Sequence, residues 1–579
     1  MALPGLERQQ STSVLVIGAG GAGLRAAIEV AQRGVQVLVV AKRSRQDAHT
    51  VLAAGGINAA IGTMDPEDSA AQHAADTLAE GYWLGHPAIV DQLVAGAPQA
   101  VAELVEWGAR LHHEADGRLS QRFFGAHRWR RTCFAGDYTG REIQMALVRR
   151  ATALPIDFND RLVVTRLLEA GGRVFGAYGF DIETGAPHVV YADAVILATG
   201  GHTRVYRRSS SRRDENLGEG MRLALQAGGR LQDMELVQFH PTGMVAPESA
   251  AGTLVTEAVR GEGGILRNAD GERYMERYDP VRRELSTRDR VALANYTEIH
   301  EGRGTENGAV TLDISHLSRD SILDRLPRMY RQFLDVAMLD ITTTPMEVAP
   351  TAHYSMGGIA VDPHTHYVDG VEGLWAVGEC AAGLHGANRL GGNSLAEILV
   401  FGRRVGADAA TISQGLAVQQ RDPGAVGAAR DEIREVLGRR GTEFARPLQR
   451  AVRDLMWESA GVVRDRERLA DGLRRLDDVQ AASAGLEVRP DMAGFDDVAH
   501  AFDLAAMIDT ARATLLGALA REESRGCHQR ADFPETDPEL RVNLTVDAAG
   551  AVGRRTIPQT DPALVALTGE LAVAGRLLE

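Results

Sequence analysis

Apolar positions along the chain follow two rhythms. A short unbroken run, Val14 to Ile17, stops at Gly18, and a helical pattern begins at Leu24. A second run, Val35 to Val40, follows Gly34, so the spacing predicts a βαβ start. Pro87 to Arg110 carries Ile89, Leu93, Val101, Leu104 and Val105 on one helical stripe. Val174 to Tyr191 alternates as a β-meander, and Ala194 to Gly201 (AVILATGG) reads as a buried strand ending in glycines. Gly391 to Arg404 predicts a helix with a glycine-rich start. Beyond about Gln414 the helical period returns: Leu448, Val452, Leu455 and Met456 form one stripe, and Val498, Phe502, Ala505, Ala506 and Ile508 another. Both stripes are expected to be bundle core rather than cofactor contacts. Leu540 to Val546 and Ala551 to Ile557 are expected to be hairpin strands.

These elements predict an α/β chain. A Rossmann-like dinucleotide domain is expected in two parts, 1–230 and 349–412. An α+β capping domain is inserted at 231–348, a helical bundle follows at 413–530, and a small C-terminal segment occupies 531–579. At the first strand–helix junction, Gly18, Gly20 and Gly23 fill G-x-G-x-x-G. These glycines serve the tight turn, the close approach of backbone to a pyrophosphate, and the packing of helix on strand. Where a nicotinamide-binding fold usually ends its second strand in an acidic residue, this chain has Ala41, Lys42 and Arg43, which favours a flavin dinucleotide. Lys42 is also the only lysine among 63 Lys and Arg residues.

Charge and cysteine content narrow the function classes. A net charge of −15 argues against nucleic acid or an anionic membrane as the main partner. Cys133, Cys380 and Cys527 are odd in number and far apart, which fits a reducing compartment and supplies no disulfide framework or iron–sulfur motif. The His364/His366 and His112/His113 pairs lack companions at zinc spacing, so no metal site is expected. No apolar run approaches bilayer length, and MALPGLERQQSTS has no secretory pattern, so a cytosolic protein is expected. A basic loop (Arg122, Arg128, Arg130, Arg131) interleaved with Phe123, Phe124 and Trp129 implies a local anion site or an internal acidic partner.

Polar residues cluster in glycine-punctuated motifs: His49, His240, Thr256, Glu257, Arg260, Glu262, Arg288, His353, Glu379, Arg389 and Ser394. Cationic and neutral donors outnumber acids there. That inventory suits a small anionic substrate, because arginine grips a carboxylate bidentately and histidine adds a donor.

Taken in order, VIGAGGAGLRAA, HTVLAAGGINAAIG, FHPTG, TEAVRGEGGIL, STRD, AHYSMGGI, GECAAGLHGANRLGGNSL and ESRGCHQRADFPE resemble the flavoprotein subunit of succinate dehydrogenase or fumarate reductase. The superfamily includes L-aspartate oxidase. The resemblance covers about Ser13 to Pro534 and implies FAD as cofactor, bound covalently through His49 to the flavin 8α-methyl carbon. It implies FAD contacts from Gly18, Gly20, Gly23, Lys42, Gly55, Gly56, Glu379, Ser394 and Leu395. His240, Thr256, His353 and Arg389 match a clamp on two carboxylates, and Phe124 matches an aromatic packed on substrate. Arg288 matches the proton donor or acceptor, with Arg260 and Glu262 as its relay to solvent. A guanidinium in that role needs burial and neighbouring cations to loosen its proton.

The implied activity interconverts succinate and fumarate by hydride transfer at FAD N5. With no iron–sulfur or haem motif of its own, the chain is expected to pass electrons to an iron–sulfur subunit. Membrane anchor subunits would lie beyond that subunit, holding the chain on the inner face of the cell membrane. Ala54 stands where related dehydrogenases carry Gln and quinol-linked fumarate reductases Glu, so the physiological direction stays open. LGEG replaces the usual GDG, which puts a Glu219 flavin contact in doubt. Two rivals fit parts of the pattern. A soluble L-aspartate oxidase lacks the tethering histidine, and a non-catalytic flavin-binding module has no use for His240, Arg288, His353 and Arg389 together.

Overall fold

A computed structural model describes residues 5–416, 418–490 and 494–568. Strand β1 (Arg8–Ile17), helix α1 (Gly21–Gln32) and strand β2 (Val37–Val40) form the expected unit. β1 and β2 pair in parallel with Val14 beside Val37 and Ile17 beside Val40. The paired segments Val14–Ile17 and Val37–Val40 are apolar and buried on both faces, whereas the first residues of β1 are polar and exposed. A Cβ on Gly18 would lie 2.1 Å from the Ala198 carbonyl, and one on Gly23 would lie 1.9 Å from the Gly18 carbonyl. Only glycine fits at either contact.

The main sheet runs Ile156–Asn159, β2, β1, Pro187–Leu197, Arg173–Asp181, Leu162–Ala170. Its first four strands are parallel, and the last two turn back antiparallel as the meander. Leu374–Ala376 joins Pro187–Leu197 in parallel, so chain on either side of residues 231–348 meets in one sheet. Behind α1 lies the 23-residue helix Asn393–Gly415. Its Gly402 and Gly406 face α1 so closely that a Cβ would come 2.8 Å from the Ala22 carbonyl and 2.4 Å from that of Ala26. Small residues at four-residue spacing thus set how closely these helices pack.

Residues 231–348 contribute three strands of a separate antiparallel sheet, in the order Val237–Met244, Met346–Ser355, Val310–Asp313, Ile265–Arg267. That sheet has its own core, in which Leu266, Leu312, Phe333 and Val348 are buried. Helices Pro423–Gly438, Ala445–Ser459, Arg466–Ser483 and Asp496–Ala520 share a core with the meander, where Phe502 packs on Phe180 at 6.4 Å. Asp496–Ala520 is buried almost all round. One side of it faces the bundle, but Phe502, Asp503 and Ala506 line the central cavity, contrary to the expectation of bundle core alone. The three-to-four-residue period reads burial and does not distinguish a helical neighbour from a ligand.

The C-terminal hairpin, Val542–Val546 with Val552–Thr556, extends a sheet containing Leu231–Gln232 and Gly358–Ile359. Residues 569–579 of the expected C-terminal segment lie outside the described part. The helix Pro87–Glu106 is long and apolar enough to cross a membrane by length and composition, contrary to the sequence reading. It contributes Ile89, Leu93, Val101 and Leu104 to the main core.

The basic loop resolves in favour of internal acidic partners. Arg131 is fully buried between Asp68 and Asp76, each 2.8 Å away, and Arg130 pairs with Asp65 at 2.6 Å. Arg122 lies over the Phe134 ring at 4.3 Å.

Candidate functional site

One long cavity, about 2150 Å³ of empty space with its mouth included, runs from the β1–α1 turn to the antiparallel sheet of the insertion. At one end α1 begins after Gly20, which has no side chain to cap it, and Thr50 Oγ1 instead accepts from Gly21 N at 3.0 Å. Such a helix start, together with the glycine turn, suits a pyrophosphate. Gly18, Gly20, Lys42, Gly55 and Gly56 all line the cavity. Gly23 does not; it serves the packing of α1 on β1. Lys42 lies against Glu219 and is 3.4 Å from Asp503. Burial works to lower its pKa, but the two carboxylates outweigh that and keep the ammonium charged. Glu219 is therefore engaged as a partner of Lys42.

Midway along, His49 opens the short turn His49–Leu52, with Nδ1 3.1 Å from Glu215 Oε2. Opposite it, Glu379 accepts from Ser355 N at 3.1 Å and from Asn216 Nδ2 at 3.3 Å. Burial pushes the Glu379 carboxyl above its usual range. Ser394 and Leu395 lie in the uncapped first turn of Asn393–Gly415, a second helix start aimed at the cavity wall. Asn58 ties this turn down by donating to Gly391 O and Asn393 Oδ1, both at 2.7 Å.

The far end holds the cationic groups. Val237–Met244 and Met346–Ser355 pair with Gln238 opposite Tyr354 and His240 opposite Thr351. The His240 and His353 rings are consequently 5.3 Å apart. His353 Nδ1 is taken by Ser210 Oγ at 2.8 Å, and His240 Nδ1 by Thr242, 3.2 Å from its carbonyl and 3.3 Å from its N–H. In each ring Nε2 is left for the cavity. Burial holds both imidazoles well below the usual histidine range, and nearby Arg288 and Arg389 push further the same way. At neutral pH they are uncharged, and each donates from Nε2 in the tautomer whose Nδ1 accepts from Ser210 Oγ or Thr242 N.

Arg288 starts the helix Arg288–Glu298, and Arg389 sits in the loop before Gly391. Both donate to one oxygen, Gln238 Oε1, at 3.2 and 3.0 Å. Arg389 is 3% exposed, lies over the Tyr354 ring at 4.4 Å and donates to Ser394 Oγ at 3.1 Å. Among the described residues no carboxylate lies within ion-pair distance of it, and its Nε has no partner. Burial, then the repulsion of Arg288, pushes its pKa down to about 10. A buried guanidinium without a counter-charge marks a place for an anion. Thr256 and Phe124 line the same end, and Phe124 lies against Gly55, whose Cβ would come 2.9 Å from the ring.

The expected relay is corrected at one position. Glu257 precedes the single helical turn Ala258–Gly261, and Arg260 is three residues on, so the two share a face. Glu257 accepts from Arg288 Nε at 2.8 Å and lies 3.8 Å from Arg260, joining the two arginines. Burial would raise its carboxyl, but the paired arginines pull it down to about 2. Glu262, past the end of that turn, pairs instead with Arg325 at 2.7 Å at the rim. Arg260 is buried behind Glu257, outside the cavity wall, and donates to Glu284 O at 2.5 Å.

Gln238, Glu215 and Ser210 have no place in the site expected from sequence. Gln238 leaves a trace, because QFH alternates polar, apolar, polar on a strand and so puts Gln238 with His240 on one side. Glu215 and Ser210 come from an irregular loop and leave none.

A glycine-lined cavity with two helix starts that follow glycine and a charged lysine fits FAD, and the chemistry is that of an FAD-dependent oxidoreductase. The family described as FAD binding domain matches residues 13–395, and the family described as fumarate reductase flavoprotein C-term matches 449–554. The chain belongs to the succinate dehydrogenase/fumarate reductase flavoprotein subunit family. It is 44% identical over 536 residues to a fumarate reductase (CoM/CoB) subunit of Methanothermobacter marburgensis, covering 92% of this chain and 96% of that one. It is 35% identical over 582 residues to the succinate dehydrogenase flavoprotein subunit of Rickettsia conorii, covering 96% of each. Among solved structures, Mycobacterium smegmatis Sdh1 in complex with UQ1 matches with a TM-score of 0.86 at 38% identity, covering 96% of this chain and 95% of that one. A quinol-fumarate reductase with menaquinol molecules matches at 0.90 and 33%, covering 96% and 99%.

Proposed function

We propose that this chain interconverts succinate and fumarate, and that the observation carrying the reading is Arg389: a buried guanidinium with no carboxylate partner among the described residues, facing Arg288 across Gln238. FAD, when bound, supplies the hydride acceptor and donor. Arg389, His353, His240 and Thr256 bind the two carboxylates of the four-carbon diacid and fix its orientation. Uncharged histidines suit this role, since they add donors without adding to the repulsion between the arginines. Phe124 closes over the substrate and excludes water.

Arg288 gives or takes the proton on the carbon next to the one exchanging hydride. Glu257 holds Arg288 Nε and links it to Arg260, which makes Arg260–Glu257–Arg288 the route by which the proton is restored. A carboxylate pulled to about 2 stays ionised and so keeps both guanidinium groups in place across neutral pH. FAD is tethered through His49, and residues 231–348 form a cap over this pocket, inserted between the two parts of the FAD-binding domain, 1–230 and 349–412.

Electrons leave for an iron–sulfur subunit, and membrane anchors beyond it hold the complex on the inner face of the cell membrane. Relatives named as subunits of succinate dehydrogenase and fumarate reductase support that assembly. The holoprotein is expected to lose its oxidised flavin absorbance on addition of succinate, and its flavin fluorescence is expected to stay with acid-precipitated protein. Failure of succinate to reduce the flavin would overturn the activity, and release of flavin into the acid supernatant would overturn the tether.

A further inference from the structure

Glu215 is the carboxylate that engages His49, the residue assigned above to the flavin tether. It is 8% exposed, and its Oε1 is engaged by Arg212 at 3.4 Å and Arg43 at 3.5 Å. Its Oε2 is 3.1 Å from His49 Nδ1. With Nδ1 taken by Glu215, Nε2 is the atom left for the tether. A neutral imidazole whose Nε2 carries a carbon has no N–H at all; Nδ1 then offers only a lone pair. An ionised carboxylate also offers only lone pairs. The contact requires a proton between them, and two arginines hold Glu215 as the acceptor.

We propose that Glu215 holds the tethered His49 as an imidazolium, placing a fixed positive charge on the flavin's 8α substituent and raising the flavin's reduction potential. The inference rests on the histidyl tether proposed above. A cation at that position draws electron density from the ring and favours the reduced form.

The surrounding groups are mixed in sign. Glu379, from the turn Gly378–Cys380 across the cavity, favours the cation. Arg212, itself 2.8 Å from Asp47, opposes it, and His353 is held neutral. Burial alone would lower the His49 pKa, but the Glu215 bond and charge reverse the sign and leave it raised. The Glu215 carboxyl is shifted the other way, downward despite its burial, by His49, Arg212 and Arg43. Both shifts arise from the one His49–Glu215 contact, which favours the proton on His49.

Two measurements on the holoprotein decide the matter. The first incorporates FAD labelled with ¹³C at the 8α carbon into ¹⁵N-histidine protein and selects the bonded ring through ¹³C–¹⁵N coupling. An imidazolium-type Nδ1 at neutral pH is expected. A lone-pair-type Nδ1 overturns the proposal and leaves the tether standing, whereas absence of coupling removes the tether and the proposal with it. The second is the flavin midpoint potential of Glu215→Gln, whose amide can donate to a neutral Nδ1 and so preserve the contact. With flavin still retained on acid precipitation, its potential at neutral pH is expected to fall below the parent's. It should approach the parent's as the pH is lowered and the imidazole is protonated. An unchanged potential across that range contradicts the assignment.

Discussion

Arg288→Ala is expected to lower kcat for succinate oxidation by about a thousandfold, the range for loss of a positioned proton carrier. Alanine at 288 removes the group next to the reacting carbon and leaves the Glu257 carboxylate with the Gly125 N–H and with Arg260, 3.8 Å away. FAD binding should survive, because Arg288 touches Glu257 and Gln238 and lies at the substrate end of the cavity. The flavin absorbance of the purified variant and its steady-state rate check both halves. Turnover within about tenfold of the parent would exclude Arg288 from proton transfer.

Arg389→Met should act on binding instead. Loss of one partner of a buried charged contact costs about 2–5 kcal/mol, so KM for succinate should rise by roughly a hundredfold or more. Stability should move the other way. Methionine removes a buried cation that has no carboxylate partner among the described residues, and Gln238 Oε1 keeps its bond from Arg288. The expected pairing is a raised KM with an undiminished unfolding temperature. A KM near the parent's, or a collapse in stability, would mean that Arg389 is a structural arginine.

The nucleotide half of the molecule is legible in the sequence because its constraints are local. Gly18 and Gly23 must be glycine, one at the strand's end and the other five residues on, and the runs Val14–Ile17 and Val37–Val40 announce strands buried on both faces. The substrate end is built from pieces distant in sequence, where spacing says little. His240 and His353 approach only because their strands pair in one register. The carboxylate beside Arg260 shows the limit. Glu257 and Glu262 both flank Arg260 in TEAVRGEGG, and only the single helical turn Ala258–Gly261 decides that Glu257 shares its face. Phe502 and Asp503 escape the sequence pattern for a similar reason: a helix buried all round carries no mark of which side meets a ligand.

Ala54 is buried in the cavity wall beside Gly55. Its methyl group can neither donate a hydrogen bond nor carry charge, so whatever sets the working direction must come from other residues. Glu215 acts through His49, and its effect is on potential rather than on substrate grip.

The most direct test of the central claim is the structure of the FAD-bound protein with fumarate. One diacid should lie between the arginines, with a carboxylate about 3 Å from Arg389 and His353 and the other within reach of His240 and Thr256. Arg288 should then face the carbons between them. Fumarate bound elsewhere, or touching this group through one carboxylate alone, would contradict the claim.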